Sequence, residues 1–313
     1  MTDDSLSTAD ESNSREGEPQ ADSISNDVDN GRYIYCLVDS ASQASGSLSD
    51  DKIEVDGIDG SSPVTTHING DVVDSTGRVG AVVHSCTQTY EAPKLATVQQ
   101  RILSHQQVVD AAGSVYGTPL PLRFNTVFEG GDESVRTWVH DNYNQIYSAL
   151  TRLSETWEYR IGLIWDADQF ESVIAETDEE LQRIEDQQTT AGEGKAFLLD
   201  KQYEQRLATL RNERREELIK TLQAGVESLA VEMTNQGSRD VDIGGSSGRD
   251  TAASGHEDAG GTTGELIERV AIRIPADAED DLGDQLDEFV ERDGVSVTFT
   301  GPWSPYTFAP NIG

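Results

Sequence analysis

The sequence predicts an α+β protein of two units, and three observations predict it. Apolar runs that alternate with polar residues, such as Val64–Ile68 and Trp157–Trp165, recur along the chain and read as strands. Longer stretches with apolar residues every three or four positions lie between them and read as helices. Two segments, 1–31 and 235–264, hold almost no large apolar side chain, so they cannot offset chain entropy and read as flexible.

Residues 1–31 are expected to be a disordered acidic tail. Arg32–Val38, dense in Tyr, Ile and Val, is the first strand. A polar loop and the turn dipeptides Asp56-Gly57 and Asp59-Gly60 follow. Val64–Ile68 is a half-buried strand, Asn69-Gly70 has the composition of a type I′ hairpin turn, and Val79–Cys86 is another strand. Leu95, Val98, Ile102, Val108 or Val109 and Ala112 predict a helix over Leu95–Ala112, with Pro93 at its entry and Gly113 as its C-cap. Thr118 to Phe128 is punctuated by Pro119 and Pro121, which donate no ladder hydrogen bond, so it reads as an extended segment entering a strand near Leu122–Val127. Arg123, set between Leu122 and Phe124, either snorkels to water or pairs with a carboxylate. Glu133–Leu153 is a second helix. The order strand, strands, helix, strand, helix over 32–155 reads as an N-terminal ferredoxin-like α+β domain.

A C-terminal α+β domain is expected over 156–313. Trp157–Trp165 alternates as a strand, and Asp166 or Asp168 can cap the helix after it. Phe170, Ile174, Leu181 and Ile184 keep the 3–4 spacing of a coiled-coil seam to about Gln188. Gly192 and Gly194 break that helix, and Lys195–Met233 forms a longer one. Together they predict a long antiparallel helical (coiled-coil) hairpin over 167–233, followed by the flexible insert 235–264. Leu266–Ile274 is a strand. Pro275 opens a helix with Leu282, Leu286, Phe289 and Val290 inward, and Asp293-Gly294 turns into the strand Val295–Thr300. Strand, helical hairpin, strand, helix, strand reads as a second, elaborated ferredoxin-like domain. The terminal Trp303, Tyr306 and Phe308, stiffened by Pro302 and Pro305, are expected to pack on the sheet or fill an interdomain groove.

The formal net charge of -35, from 58 acidic against 23 basic residues, is spread along the chain. That pattern suits a salt-rich, halophilic cytoplasm, where screening tames self-repulsion. It argues against nucleic acid or an anionic membrane as partner, since both demand a basic face. No apolar run approaches the length of a membrane span, and the polar N-terminus does not read as a signal peptide. Cys36 and Cys86 sit in separate strand-like runs and read as free buried thiols; a disulfide would need adjoining strands. His67, His84, His105, His140 and His256 stand apart, with no nucleophile or metal spacing beside them, so no catalytic, cofactor or metal site is expected. Gly192-Glu193-Gly194-Lys195 precedes a helix, but Glu193 makes a helix break the better reading than an anion site. The residues proposed for partner binding or interdomain contact are Leu120, Arg123, Phe124, Trp303, Tyr306 and Phe308. The competing reading is a ferredoxin-like small-anion-binding protein or enzyme using Arg123.

His105-Gln106-Gln107-Val108-Val109, Leu120-Pro121-Leu122-Arg123-Phe124 with Thr126-Val127-Phe128, Gly194-Lys195-Ala196-Phe197-Leu198-Leu199 and Gly301-Pro302-Trp303-Ser304-Pro305-Tyr306-Thr307-Phe308 occur in an order that resembles the gas vesicle protein GvpL/GvpF family. With Tyr33-Ile34-Tyr35, the resemblance spans roughly residues 31–310. Asn125 stands where the family usually has glycine, and Ser304 where it has proline; Asn tolerates a left-handed backbone, so the first turn is expected to survive. Length and the acidic N-terminal extension lean towards the GvpL branch over GvpF, and the resemblance implies a haloarchaeal source. The resemblance implies a non-enzymatic accessory or minor structural protein required for gas vesicle assembly. It would bind the hydrophobic shell protein and other accessory gas vesicle proteins, and reside in the gas vesicle and cytoplasm.

Overall fold

The computed structural model describes residues 27–40, 51–69, 78–92, 94–237 and 264–312. The expectations for 1–26, for the Asn69-Gly70 turn, for Pro93 and for most of the insert fall outside these residues. The first sheet contains β1 (Asp27–Asp39), β2 (Asp51–Lys52), β3 (Val64–Asn69), β4 (Arg78–Gln88), β5 (Leu120–Pro121) and β6 (Val127–Phe128). Its order is β2-β3-β4-β1-β5, with β6 also against β1, and every pairing is antiparallel. Four strands thus precede the first helix.

β1 is apolar on both faces because it lies between two helical layers, which a continuous apolar run permits and simple alternation does not. A register shift between Ile34 and Cys36 sends Ile34 and Leu37 into one core and Tyr33, Tyr35, Cys36 and Val38 into the other. The first core is closed by α2 (Gly131–Asp141) and α3 (Tyr143–Leu153), the second by α1 (Leu95–Tyr116). The single helix expected over Glu133–Leu153 breaks at Asn142, whose Nδ2 donates to the Trp138 carbonyl at 2.8 Å and competes with the backbone ladder.

Two boundaries differ from expectation for reasons of packing. β1 begins at Asp27, not Arg32: Asp27 pairs with Gln88 and Gly31 with Cys86, and a backbone ladder needs no apolar side chain. Gly113 is not the cap of α1, which runs on to Tyr116 and ends at Gly117, φ 80°. Gly113 lies inside the helix because a Cβ there would sit 2.9 Å from the Trp157 ring. Cys36 lies across from Val82 and Cys86 across from Gly31; both thiols are free and buried.

The second sheet has the order β10-β7-β9-β8, all antiparallel, from β7 (Thr156–Trp165), β8 (Glu232–Asn235), β9 (Glu265–Pro275) and β10 (Val295–Trp303). Tyr159, Ile161, Leu163 and Trp165 of β7 join Val270, Ile272 and Ile274 of β9 on one face. There they meet Leu218, Leu222 and Val226 of α6 (Glu193–Glu227) and Leu282, Leu286 and Phe289 of α7 (Glu279–Val290). The sheet's other face, with Glu158, Ala271 and Arg273, turns toward the first unit.

The helix expected from Asp166 to Gln188 is two: α4 (Ala167–Thr177) and α5 (Glu179–Thr189). Asp178 divides them by capping α5, accepting from the Glu180 and Leu181 N–H groups at 3.1 and 2.9 Å. Asp166 caps α4 in the same way. Ion pairs Glu171–Arg211 and Asp178–Arg206 run in opposite sequence directions, so α6 returns antiparallel along α4 and α5. The α6 helix expected to reach Met233 stops at Glu227, because Met233 is drawn into the ladder opposite Ile272.

Candidate functional site

The candidate site is where the C-terminal ribbon meets both units. Leu120 is fully buried in β5 opposite Leu37. Phe124 lies half-buried, its ring 6.3 Å from that of Tyr33 and 6.1 Å from that of His105. Asn125 takes the left-handed conformation, φ 69°, and makes it useful. Its Oδ1 accepts the Tyr90 N–H at 2.7 Å, and its own N–H donates to the Tyr33 hydroxyl at 3.0 Å. A glycine here could supply the φ but not the first of these bonds.

Around this turn lies a cluster of rings. Tyr33 Oη and His105 Nδ1 share a hydrogen bond of 2.7 Å, as do Tyr90 Oη and His84 Nε2. Tyr33 stacks on His84 with centroids 5.1 Å apart. Burial lowers both imidazoles to about 4, so they are neutral near pH 7. Tyr306 reaches this cluster from the far end of the chain, its ring 6.5 Å from His105 and its enclosed hydroxyl without a hydrogen-bond partner among the described residues. Burial pushes that hydroxyl well above the usual tyrosine range.

The ribbon is fastened by buried charge. Glu158 is fully buried; it accepts the Thr307 N–H and hydroxyl, each at 2.7 Å, and Arg160 Nε at 2.9 Å. Phe308 enters the first unit's core beside Ile34, Leu120 and Leu153, and Arg152 donates to its carbonyl at 2.6 Å. Glu232 accepts from Arg152 at 2.7 Å and from the buried Arg273 at 3.2 Å. Arg273 also donates to the Arg152 carbonyl at 3.0 Å and to Thr156 Oγ1 at 2.8 Å. The buried charge of Glu158 is tolerated because both of its carboxylate oxygens find donors, whereas Glu232 is open to water and takes both arginines through one oxygen.

Of the six residues singled out from sequence, Leu120 and Phe308 share the first core, while Phe124 and Tyr306 border the ring cluster at His105 on the other face of β1. Arg123 does not join them: it is exposed, and its guanidinium has no partner among the described residues. Trp303 stays half-exposed at the end of β10, its Nε1 donating to Thr300 Oγ1 at 3.3 Å. Sequence reasoning missed Glu158, Arg273, Arg152 and Glu232. In the alternation Trp157-Glu158-Tyr159 the carboxylate reads as solvent-facing, and only the register that sets Glu158 opposite Arg273 shows a charged layer between units.

Outside this junction the helical arm exposes Val173, Phe197 and Leu198, with Phe197 63% accessible. A cleft of about 420 Å³ between α4 and α6 is floored by Phe170, Val173 and Leu210 and rimmed by Glu213, Arg214, Glu217 and Asp293. No helix among the described residues is long and apolar enough to cross a membrane.

Comparison with known proteins gives a consistent result. Residues 31–310 match the family model described as gas vesicle synthesis protein GvpL/GvpF. The chain is 43% identical over 286 residues to gas vesicle protein L1 of Halobacterium salinarum, covering 91% of this chain and 92% of that one. It is 41% identical over 302 residues to gas vesicle protein L of Haloferax mediterranei, covering 91% and 89%. The crystal structure of GvpF from Anabaena shares the fold at a TM-score of 0.60 and 17% identity, covering 90% of this chain and 99% of that one. GvpF from Microcystis aeruginosa does so at 0.54 over the same shares.

Proposed function

The chain belongs to the GvpL/GvpF family of gas vesicle synthesis proteins, and from that premise we propose that it is an accessory or minor structural protein required for gas vesicle assembly. It binds the hydrophobic shell protein and other accessory gas vesicle proteins while a vesicle is nucleated, and resides in the cytoplasm and the vesicle. The observation that carries this reading is a family match over nearly the whole chain, with identity above 40% to two haloarchaeal L proteins. The physical role is to hold an aggregation-prone subunit by apolar contact until it joins the wall. The adjacent Phe197 and Leu198, both largely exposed on the helical arm, and Val173 at the α4–α6 cleft support such contact, because grouped apolar surface marks protein interaction sites.

The same reading takes the chain as two domains, 32–155 and 156–313, joined by Leu120, Phe124, Tyr306 and Phe308. The second is a ferredoxin-like domain carrying a coiled-coil hairpin. Its element order and its spatial order, fourth-first-third-second, support this. A small-anion-binding protein or enzyme built on Arg123 gains no support from a guanidinium that faces water.

The test is a pull-down from vesicle-forming cells in molar salt, beside a deletion scored by buoyancy. Co-purification of the shell protein and loss of floating cells are expected. Normal vesicles in the deletion strain would remove the proposal.

A further inference from the structure

The outer edge of the second sheet is left open. Among the described residues, β10 pairs with β7 on one side and with no strand on the other. Elsewhere the sheet ends are blunted in familiar ways. β2 is the two-residue Asp51–Lys52, β5 ends on Pro121, and β8 is four residues beginning with Glu232. β10 has none of these devices over its first seven residues, Val-Ser-Val-Thr-Phe-Thr-Gly. They carry no charge and no proline, in a chain that is 26% charged. Thr298, Phe299, Thr300 and Gly301 are exposed.

This edge is also self-complementary. With Thr298 set opposite Thr298 of a second, antiparallel copy, Val297 faces Phe299 and Ser296 faces Thr300 in both directions. Aromatic–β-branched pairs and Ser/Thr pairs are the cross-strand neighbours that favour pairing. The apolar side of the strand, Val295, Val297 and Phe299, continues the row of their register partners Trp165, Leu163 and Ile161. Phe299 stacks on Tyr159 with centroids 5.4 Å apart and planes parallel, while 38% of it remains in water. A second strand would cover that surface. Two copies of a chain with net charge -35 repel over most orientations, and an uncharged edge is where they can approach.

We propose that β10 is a homodimer interface, at which a second copy adds its own β10 antiparallel about a two-fold axis at Thr298 and joins two four-stranded sheets into one of eight. The irregularity between Thr300 and Trp303 limits the pairing to about six residues a side, less than a standard interface, so the dimer exchanges with monomer. Association tightens with salt as the acidic bodies are screened.

Sedimentation velocity of the full chain over a concentration series in molar KCl tests this. Wild type should show a monomer–dimer equilibrium. Thr298→Lys sets two ammonium groups face to face and should weaken association by roughly tenfold or more. Thr298→Val should leave it intact. Thr300→Lys, opposite Ser296 of the second copy, should weaken it too and serves if Thr298→Lys does not fold. A wild type that stays monomeric throughout overturns the proposal, as does a folded lysine variant that dimerises like wild type. A monomeric wild type whose capture of another vesicle protein is lost in Thr298→Lys overturns it also, and gives the edge to that protein's strand.

Discussion

Gly113 shows how one residue ties two units together. Alanine in a helix interior is normally worth up to about 1 kcal/mol over glycine. Here the added Cβ would press on the Trp157 ring at 2.9 Å, so the indole must shift within its packing. Gly113→Ala is expected to destabilise by about 1–3 kcal/mol, the usual cost of overpacking, in denaturant melts. A stabilised variant would show that α1 and β7 do not pack as described. The aromatic ribbon divides in the same quantitative way. Phe308 is buried in the first unit's core, so Phe308→Ala should cost about 3–5 kcal/mol. Trp303 keeps part of its ring in water, so Trp303→Ala should cost clearly less. Equal costs in parallel melts would reverse this ranking. The two histidines set a pH response. Their folded values near 4 lie below the ordinary 6.5, so between those values the unfolded chain binds more protons. Stability should therefore fall as pH drops from about 6.5 to about 4, by on the order of 3 kcal/mol for each histidine. Melts of His105→Gln across that window should show a shallower slope; an unchanged slope would place the response elsewhere.

At the scale of elements, the helical arm depends on the break at Asp178. Its carboxylate caps α5 and meets Arg206 at 2.7 Å, and these bonds hold its pKa below the usual range. Asp178→Ala should lower stability by about 0.5–2 kcal/mol through the lost cap. Because the pair lies on the arm, amide exchange should quicken in α5 and the facing part of α6, with the first sheet unaffected. Uniform loosening of both units would show that the arm is not a separate source of stability. The arm's periodicity was visible in Phe170, Ile174, Leu181 and Ile184, yet the break was not. Asp within a run of Glu, Asp and Gln reads as one more solvated charge until the backbone bends around it.

For the whole molecule, charge outweighs any single contact. With 58 acidic against 23 basic residues, self-repulsion opposes the compact state at low ionic strength. The Debye length shrinks from about 30 Å at 0.01 M to about 3 Å at 1 M, so thermal midpoints should climb from dilute to molar KCl. A flat or falling midpoint would contradict this. The fully buried Glu158 should respond less than the surface, because salt does not reach it, whereas Arg152 and Glu232 are open to water and should be screened like other surface charge.

Local pattern by itself determined the α+β class, most strand centres and the helices of the arm, since each is written in side chains a few positions apart; the family came from the resemblance of ordered motifs along the chain. Tyr33–Val38 announced a strand because its apolar density does not depend on which neighbours cover it. Tertiary structure alone decided what lies between the units. Glu158 and Arg160 occupy the polar phase of an alternating strand, and that phase is solvent in an isolated sheet but interior where a second body covers it. Gly113 looked like a cap because glycine ends helices, and became a contact point because Trp157, 44 positions along the chain, came to rest against it. Arg123 and Phe124 are adjacent, yet one faces water and the other the ring cluster, a choice made by the left-handed turn at Asn125 and its bonds to Tyr33 and Tyr90. Sequence spacing fixes which residues share a face, but which face becomes interior depends on long-range docking that no local period encodes.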